Sequence, residues 1–242
     1  ISSSGHLIIL NEFINYNPNQ SLMIFLHLGS AIGLLLIYIK PLIKIFRSEQ
    51  LLNILIKLAI SIIPVAVVGV LYDDIISEIF YKTNFIAINL IFWGVLMIIT
   101  EHIFSNKQNN VKKIKHIGFK QSIAVGLAQI LSLIPGTSRS GVTTLAGMWS
   151  GIEKSTSLDY SFLMGIPLLF GSFIFKYYIL TFYSCSFTIN SISNETILAF
   201  ILIIPISLLA ALLLRKFSKK KFLTVFGIYR IIIGTLILIF LQ

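Results

Sequence analysis

The chain is poor in charge and almost free of cysteine. Charged residues make up 12% of its 242 residues and hydrophobic residues 56%, which leaves too little polar surface to wrap a soluble globule of this size. A soluble enzyme or soluble binding module is therefore excluded, and the chain belongs in a bilayer. Cys185 is the only cysteine, so neither an intramolecular disulfide nor a cysteine-based metal cluster can form. Acidic residues are scarcer than basic ones, with 9 Asp plus Glu against 19 Lys plus Arg. The basic excess lies between apolar runs, so it reads as membrane topology and excludes a nucleic-acid partner. The opening ISSSGHLIIL has neither the basic flank nor the cleavage pattern of a signal peptide.

What is abundant is apolar sequence in runs long enough to cross a membrane, for which about 20 residues are needed. Six segments qualify: 22–39, 51–71, 84–104, 160–183, 196–214 and 222–241. Basic residues collect around Lys40, Lys44 and Arg47, around Lys107, Lys112, Lys113 and Lys115, and around Arg215, Lys216, Lys219, Lys220 and Lys221. The positive-inside rule puts these three connections in the cytoplasm. The acidic link with Asp73, Asp74 and Glu78 and the nearly uncharged link holding Cys185 then face outward.

With Lys115 and Lys154 both cytoplasmic, residues 119–152 must enter the membrane and return. The segment breaks at Pro135 and Gly136, and each arm of about 15 residues is too short to cross comfortably at 1.5 Å per residue. A re-entrant helical hairpin is the expected structure. Irregular backbone at that depth requires protein or a water-filled cavity to satisfy its polar groups, so the turn marks a cavity. ISSSGH followed by the short apolar run 7–10 reads as the second half of another hairpin. Three spans follow each hairpin, and an odd number reverses the side on which the second set begins. The expected fold is an all-α polytopic membrane protein, one membrane domain over 1–242. Its six spans and two re-entrant hairpins form an inverted-topology repeat, with repeat 1 at 1–104, its first hairpin truncated, and repeat 2 at 119–242.

The densest polar cluster is Pro135-Gly136-Thr137-Ser138-Arg139-Ser140-Gly141. Glycines let the backbone approach a ligand, amides at a helix N-terminus bind anions, and Arg139 adds a fork of donors suited to phosphate oxygens. A kink whose hydroxyls satisfy freed carbonyls would explain the serines but not an arginine so deep in a membrane. His6 follows three serines and Gly5 in the other turn, where an imidazole can serve as acid, base or nucleophile, or activate a neighbouring hydroxyl. Arg230 could pair with a carboxylate, hold the bundle together or line the cavity. Lys57 lies close enough to a helix end to snorkel. Glu12, Glu101 and Asp159 read as membrane-edge carboxylates, solvated or at helix ends, and His27 and His102 have no spaced partner for a metal site.

LIPGTSRSGVTTLAGMWSG, with Tyr160-Ser161-Phe162-Leu163 and Ile166-Pro167 after it, resembles the signature region of the bacterial undecaprenyl-diphosphate phosphatases of the bacitracin-resistance type. ISSSGHLI is similar to their first re-entrant turn, and Gly227-Ile228-Tyr229-Arg230 to their last helix. The resemblance covers essentially the whole chain. It implies hydrolysis of undecaprenyl diphosphate to the monophosphate and inorganic phosphate, which recycles the lipid carrier of peptidoglycan synthesis and confers bacitracin resistance. It also implies a multi-pass protein of the bacterial cytoplasmic membrane with its active site on the outer side, and leaves a homodimer open. Carried over by position, Ser3, His6, Ser138 and Arg139 are the catalytic residues, and Ser2, Gly136, Thr137, Ser140 and Thr143 bind substrate. Arg139 would clamp the diphosphate, and the nucleophile stays open among Ser3, His6 and Ser138. The family uses a divalent cation, Mg2+ or Ca2+, attributed to a glutamate pair just upstream of the position of Ile1. Those residues are absent, so no metal ligand is named, and the expectation is that an N-terminal segment has been lost.

Two other readings compete. Ser4-Gly5-His6 and Ser138-Arg139 resemble elements of the phosphatidic-acid-type lipid phosphatases, but those enzymes need a histidine after the arginine, and the last one here is His116. A polyprenyl-phosphate transporter or flippase is the reading from another class, because inverted repeats with broken helices are transporter architecture.

Overall fold

The computed structural model describes residues 2–14, 20–104, 111–182, 193–218 and 220–240. Cys185, and with it the expected outer link, lies outside the described residues, as do Tyr183 and Leu241 at the ends of two expected spans. Among the described residues there are nine α-helices: α1 (Ser3–Phe13), α2 (Gln20–Phe46), α3 (Leu51–Phe80), α4 (Thr83–Phe104), α5 (Phe119–Ile130), α6 (Arg139–Trp149), α7 (Lys154–Phe182), α8 (Asn194–Phe217) and α9 (Phe222–Phe240). Six of them, α2, α3, α4, α7, α8 and α9, are long and apolar enough to cross a membrane. The protein is an all-α, multi-pass membrane protein.

The spans lie where the sequence predicts, but several run past the expected ends: α2 continues to Phe46 through Lys40, Pro41 and Lys44, and α8 to Phe217 through Arg215 and Lys216, all expected in connections except Pro41. Helix α3 continues to Phe80 and carries Asp73, Asp74 and Glu78, where the sequence predicts a link. The backbone leaves helical geometry only at Tyr72 (φ −126°, ψ 15°). Residues 73–80 contain neither proline nor glycine, so nothing stops the helix from resuming. Helix α7 starts at Lys154, ahead of the expected 160, because its first turns are helix-competent but too polar to register as a span.

The chain forms two compact units. One holds 17–49 and 162–216, where α2 meets α8 with Gly29 against Ile203 and Phe200. The other holds 1–16, 50–161 and 217–242, and contains every residue of the candidate site. Its axis is the antiparallel pair α4 and α9. A Cβ on Gly94 would lie 2.8 Å from the Gly227 carbonyl, and one on Gly227 would lie 2.6 Å from the Gly94 carbonyl. Two bare backbones can come this close only because both positions lack a side chain, which is how helices associate in lipid without a hydrophobic driving force. Ile86, Ala87, Leu90 and Ile237 form the buried core of the pair, and Ile8 and Ile9 of α1 pack against it. That packing fixes the first turn on the α4/α9 axis.

At the other end of the same pair, Glu101 is 3% exposed; of the two places expected from sequence, solvated or at a helix end, it takes the second. It accepts from Lys154 Nζ at 2.6 Å and from the Thr224 amide in the first turn of α9 at 2.7 Å. Lys154 Nζ also donates to the Lys220 carbonyl at 2.7 Å. A helix N-terminus favours a negative charge, so Glu101 caps α9 from a neighbouring helix. Lys57, too, is buried and lies 5.5 Å above the Phe119 ring. Ser61, Ser122 and Tyr160 form a buried hydroxyl cluster, with Tyr160 Oη 2.9 Å from Ser61 Oγ and 3.2 Å from Ser122 Oγ.

Candidate active site at two facing turns

The second turn follows from its local sequence. Proline restricts the residue before it to extended backbone, and Ile134 adopts φ −73°, ψ 122°, ending the helical stretch α5 and Leu131–Leu133. Gly136 then takes φ +90°, the left-handed region that glycine enters without a Cβ clash. Ser138 is extended and caps α6, its Oγ accepting from the Gly141 amide at 3.2 Å. The first turn is built the same way. Ser2 caps α1, with Oγ accepting from the Gly5 amide at 3.3 Å. Ser2-Ser3-Ser4-Gly5 and Ser138-Arg139-Ser140-Gly141 thus share a Ser-x-Ser-Gly pattern, in which the first serine caps the helix and the glycine amide answers it.

The two turns touch. A Cβ on Gly5 would lie 3.0 Å from both Cα and N of Gly136. The first turn of α1 therefore lies beside the turn that leads into α6, and each helix begins with amides that have no acceptor within its own helix. Helix N-termini brought close together favour an anion.

The second turn is held from α4 and α9 by donors that satisfy its carbonyls. Asn89 Nδ2 donates to the Pro135 carbonyl and to Thr137 Oγ1, each at 2.8 Å. Arg230 is fully buried, and donates through Nη2 to the Gly136 carbonyl and through Nε to the Leu90 carbonyl at 3.4 Å. Its remaining nitrogen, Nη1, is buried and has no hydrogen-bond partner among the described residues. Of the roles open to Arg230 from sequence, the structure gives it carbonyl partners and no carboxylate among the described residues.

The expected site residues fall as follows. Ser2, Gly136, Thr137 and Ser138 are buried in the turns. Arg139 and Ser140 open α6 and are half-buried, with Ser140 Oγ 3.4 Å from Ser138 Oγ. Thr143 lies one turn further on, donating to the Arg139 carbonyl at 2.7 Å and meeting Ser161 Oγ at 2.6 Å. Ser3 begins α1, and its side chain lies outside what is described. His6 projects from α1 with Nδ1 2.6 Å from the Ser2 carbonyl and Nε2 3.1 Å from Tyr229 Oη. Burial pushes the imidazole below its ordinary pKa, the Ser2 carbonyl opposes this, and the Arg230 charge adds to it. Burial thus favours the neutral ring.

Asn89, Tyr229 and Ser161 are residues that sequence reasoning did not assign to the site. The signal for Asn89 was its polarity inside the apolar run Ile86-Ala87-Ile88-Asn89-Leu90-Ile91. The side chains around the turns supply guanidinium, imidazole, hydroxyl and amide groups. No three His, Cys, Asp or Glu side chains converge among the described residues. This set is rich in hydrogen-bond donors, which suits an anion, and offers no carboxylate to a divalent cation among the described side chains at the turns.

Fold and site together define a polytopic membrane protein in which two helix-opening turns meet. The chain matches the family of the bacitracin resistance protein BacA over residues 1–236, and it belongs to that family. It is 30% identical to undecaprenyl-diphosphatase 1 of Clostridium acetobutylicum, over 99% of this chain and 90% of the relative. It is 32% identical to undecaprenyl-diphosphatase of Acetivibrio thermocellus, over 99% and 90%, and 32% identical to that of Methanococcus aeolicus, over 99% and 91%.

Proposed function

We propose that this protein hydrolyses undecaprenyl diphosphate to undecaprenyl phosphate and inorganic phosphate at the two facing turns. The observation that carries the reading is the contact of Gly5 with Gly136, which brings two helix N-termini, His6 and the Arg230 guanidinium to one anion site inside a membrane protein. A lipid diphosphate is the substrate class that such a position suits, since its chain stays in the bilayer while its phosphates need buried donors.

In this reading Arg139 and the first-turn amides of α6 hold the diphosphate, and Arg230 Nη1 supplies one more donor. Ser2, Gly136, Thr137, Ser140 and Thr143 shape and line the phosphate site. Ser3, His6 and Ser138 are the groups able to attack phosphorus or move the proton. Because these donors meet the phosphoryl oxygens in a site removed from bulk water, they stabilise developing charge without reorganising. A divalent cation remains an expectation of the family resemblance, as does a homodimer.

The site opens to the outer side of a bacterial cytoplasmic membrane, where the lipid carrier is returned to peptidoglycan synthesis. The element order supports an inverted repeat within one membrane domain, since α1 and the α5/α6 hairpin are each followed by three long helices. The matched Ser-x-Ser-Gly turns support it too. In vesicles holding a polyprenyl diphosphate, orthophosphate release is the expected outcome. Transbilayer movement of the lipid with no release would replace this reading with that of a transporter.

A further inference from the structure

His6 is held from both sides, and the chemistry of its partners fixes where its proton sits. The Ser2 carbonyl 2.6 Å from Nδ1 can only accept, so Nδ1 carries the hydrogen. In the neutral ring the lone pair then lies on Nε2, and the Tyr229 hydroxyl 3.1 Å away must be its donor. The two rings are parallel to within 9°, with centroids 5.7 Å apart. The backbone that carries Tyr229 is anchored, because the next residue, Arg230, is buried and bonded to the Gly136 and Leu90 carbonyls.

We infer that Tyr229 is a positioning residue for His6, whose hydroxyl holds the imidazole in the Nδ1–H tautomer and covers the Nε2 lone pair until a reacting hydroxyl or water takes its place. The inference rests on the reading of the two turns as a phosphatase site. It assigns the proton-transferring atom: Nδ1 is committed to Ser2, so only Nε2 can exchange a proton with substrate. It also gives α9 a second task, since one residue of that helix orients the imidazole of the first turn while its neighbour holds the backbone of the second.

Tyr229→Phe keeps the ring stack and removes only the hydroxyl, so the fold is preserved. Losing one hydrogen bond of ordinary strength should lower kcat about fivefold, with KM within twofold because Tyr229 acts through His6 and not on the lipid. A second readout does not depend on turnover. In full-length protein in detergent, diethyl pyrocarbonate acylates an uncovered imidazole nitrogen, and mass spectrometry of the peptide containing His6 measures the rate. The rate at His6 should rise several-fold in Tyr229→Phe, with the rates at the other histidines unchanged. An unchanged acylation rate at His6 overturns the inference whatever the kinetics show. A rise in KM with constant kcat also overturns it, placing Tyr229 on the substrate. A wild-type protein that releases no phosphate overturns the phosphatase reading instead, and the acylation rates still decide the role of Tyr229.

Discussion

Tyr229 and Arg230 are consecutive in α9 yet serve different turns: the tyrosine hydroxyl lies 3.1 Å from His6 Nε2, and the guanidinium donates to the Gly136 carbonyl. Consecutive helical residues project about 100° apart, so a single position along α9 can reach both α1 and the start of α6. The relative placement of the two turns is thus set by one helix. Glycine contacts keep that helix close to α4.

Arg230→Lys should therefore damage activity while preserving charge. A lysine carries its three donors on one nitrogen, so it lacks the planar spread of Nε, Nη1 and Nη2 by which Arg230 serves the Leu90 and Gly136 carbonyls and keeps a third nitrogen free. Turnover on a polyprenyl diphosphate is expected to fall by about tenfold or more. Wild-type turnover in this variant would show that α9 does not hold the second turn through this side chain.

Gly136→Ala tests the turn itself. The residue has φ +90°, and a Cβ there would sit 3.0 Å from the Ile86 carbonyl and 3.2 Å from Asn89 Nδ2. Strained backbone of this kind costs about 1–3 kcal/mol, and the added methyl presses on the side chain that holds Pro135 and Thr137. Activity should fall well over tenfold while circular dichroism reports the same helix content. Unchanged kinetics would mean that the turn relaxes freely and is not a preorganised site.

The clasp at the other end of α9 predicts a stability effect. Surface ion pairs are worth about 0–1 kcal/mol, whereas breaking a buried pair costs about 3–5 kcal/mol. Glu101 is buried and Lys154 partly exposed, so Glu101→Ala should cost about 2–3 kcal/mol, between those limits. It removes both the partner of Lys154 and the cap of α9. A lowered thermal midpoint in detergent, with KM little changed at a temperature where the variant is folded, is the expected result. An unchanged midpoint would show that the bridge is dispensable.

Much of this arrangement was legible in the sequence. The six spans follow from apolar run length, and the break at Pro135-Gly136 from the two residues that end a helix and reverse its backbone. Arg139 stood out because a charge within an apolar stretch needs a reason. What was hidden depended on long-range contact. Glu101 reads as an edge carboxylate until Lys154 and the α9 N-terminus close over it. Asn89 is one amide in an apolar helix until its two hydrogens are found on Pro135 and Thr137. Tyr229 is an ordinary membrane tyrosine until His6, more than two hundred positions away, is placed against it. Run length and residue type are local properties, whereas these partnerships are made by tertiary packing.

If the two turns form one phosphatase site, hydrolysis of a lipid diphosphate needs a residue from each of them. Orthophosphate release from farnesyl diphosphate, measured in detergent for the wild type, His6→Ala and Arg139→Lys, tests it most directly. The wild type should release orthophosphate, and each variant should lose about a hundredfold. Arg139→Lys loses the planar two-point contact with phosphate while keeping its charge, and His6→Ala loses the proton-transferring nitrogen. Turnover within a few-fold of wild type in either variant would contradict it.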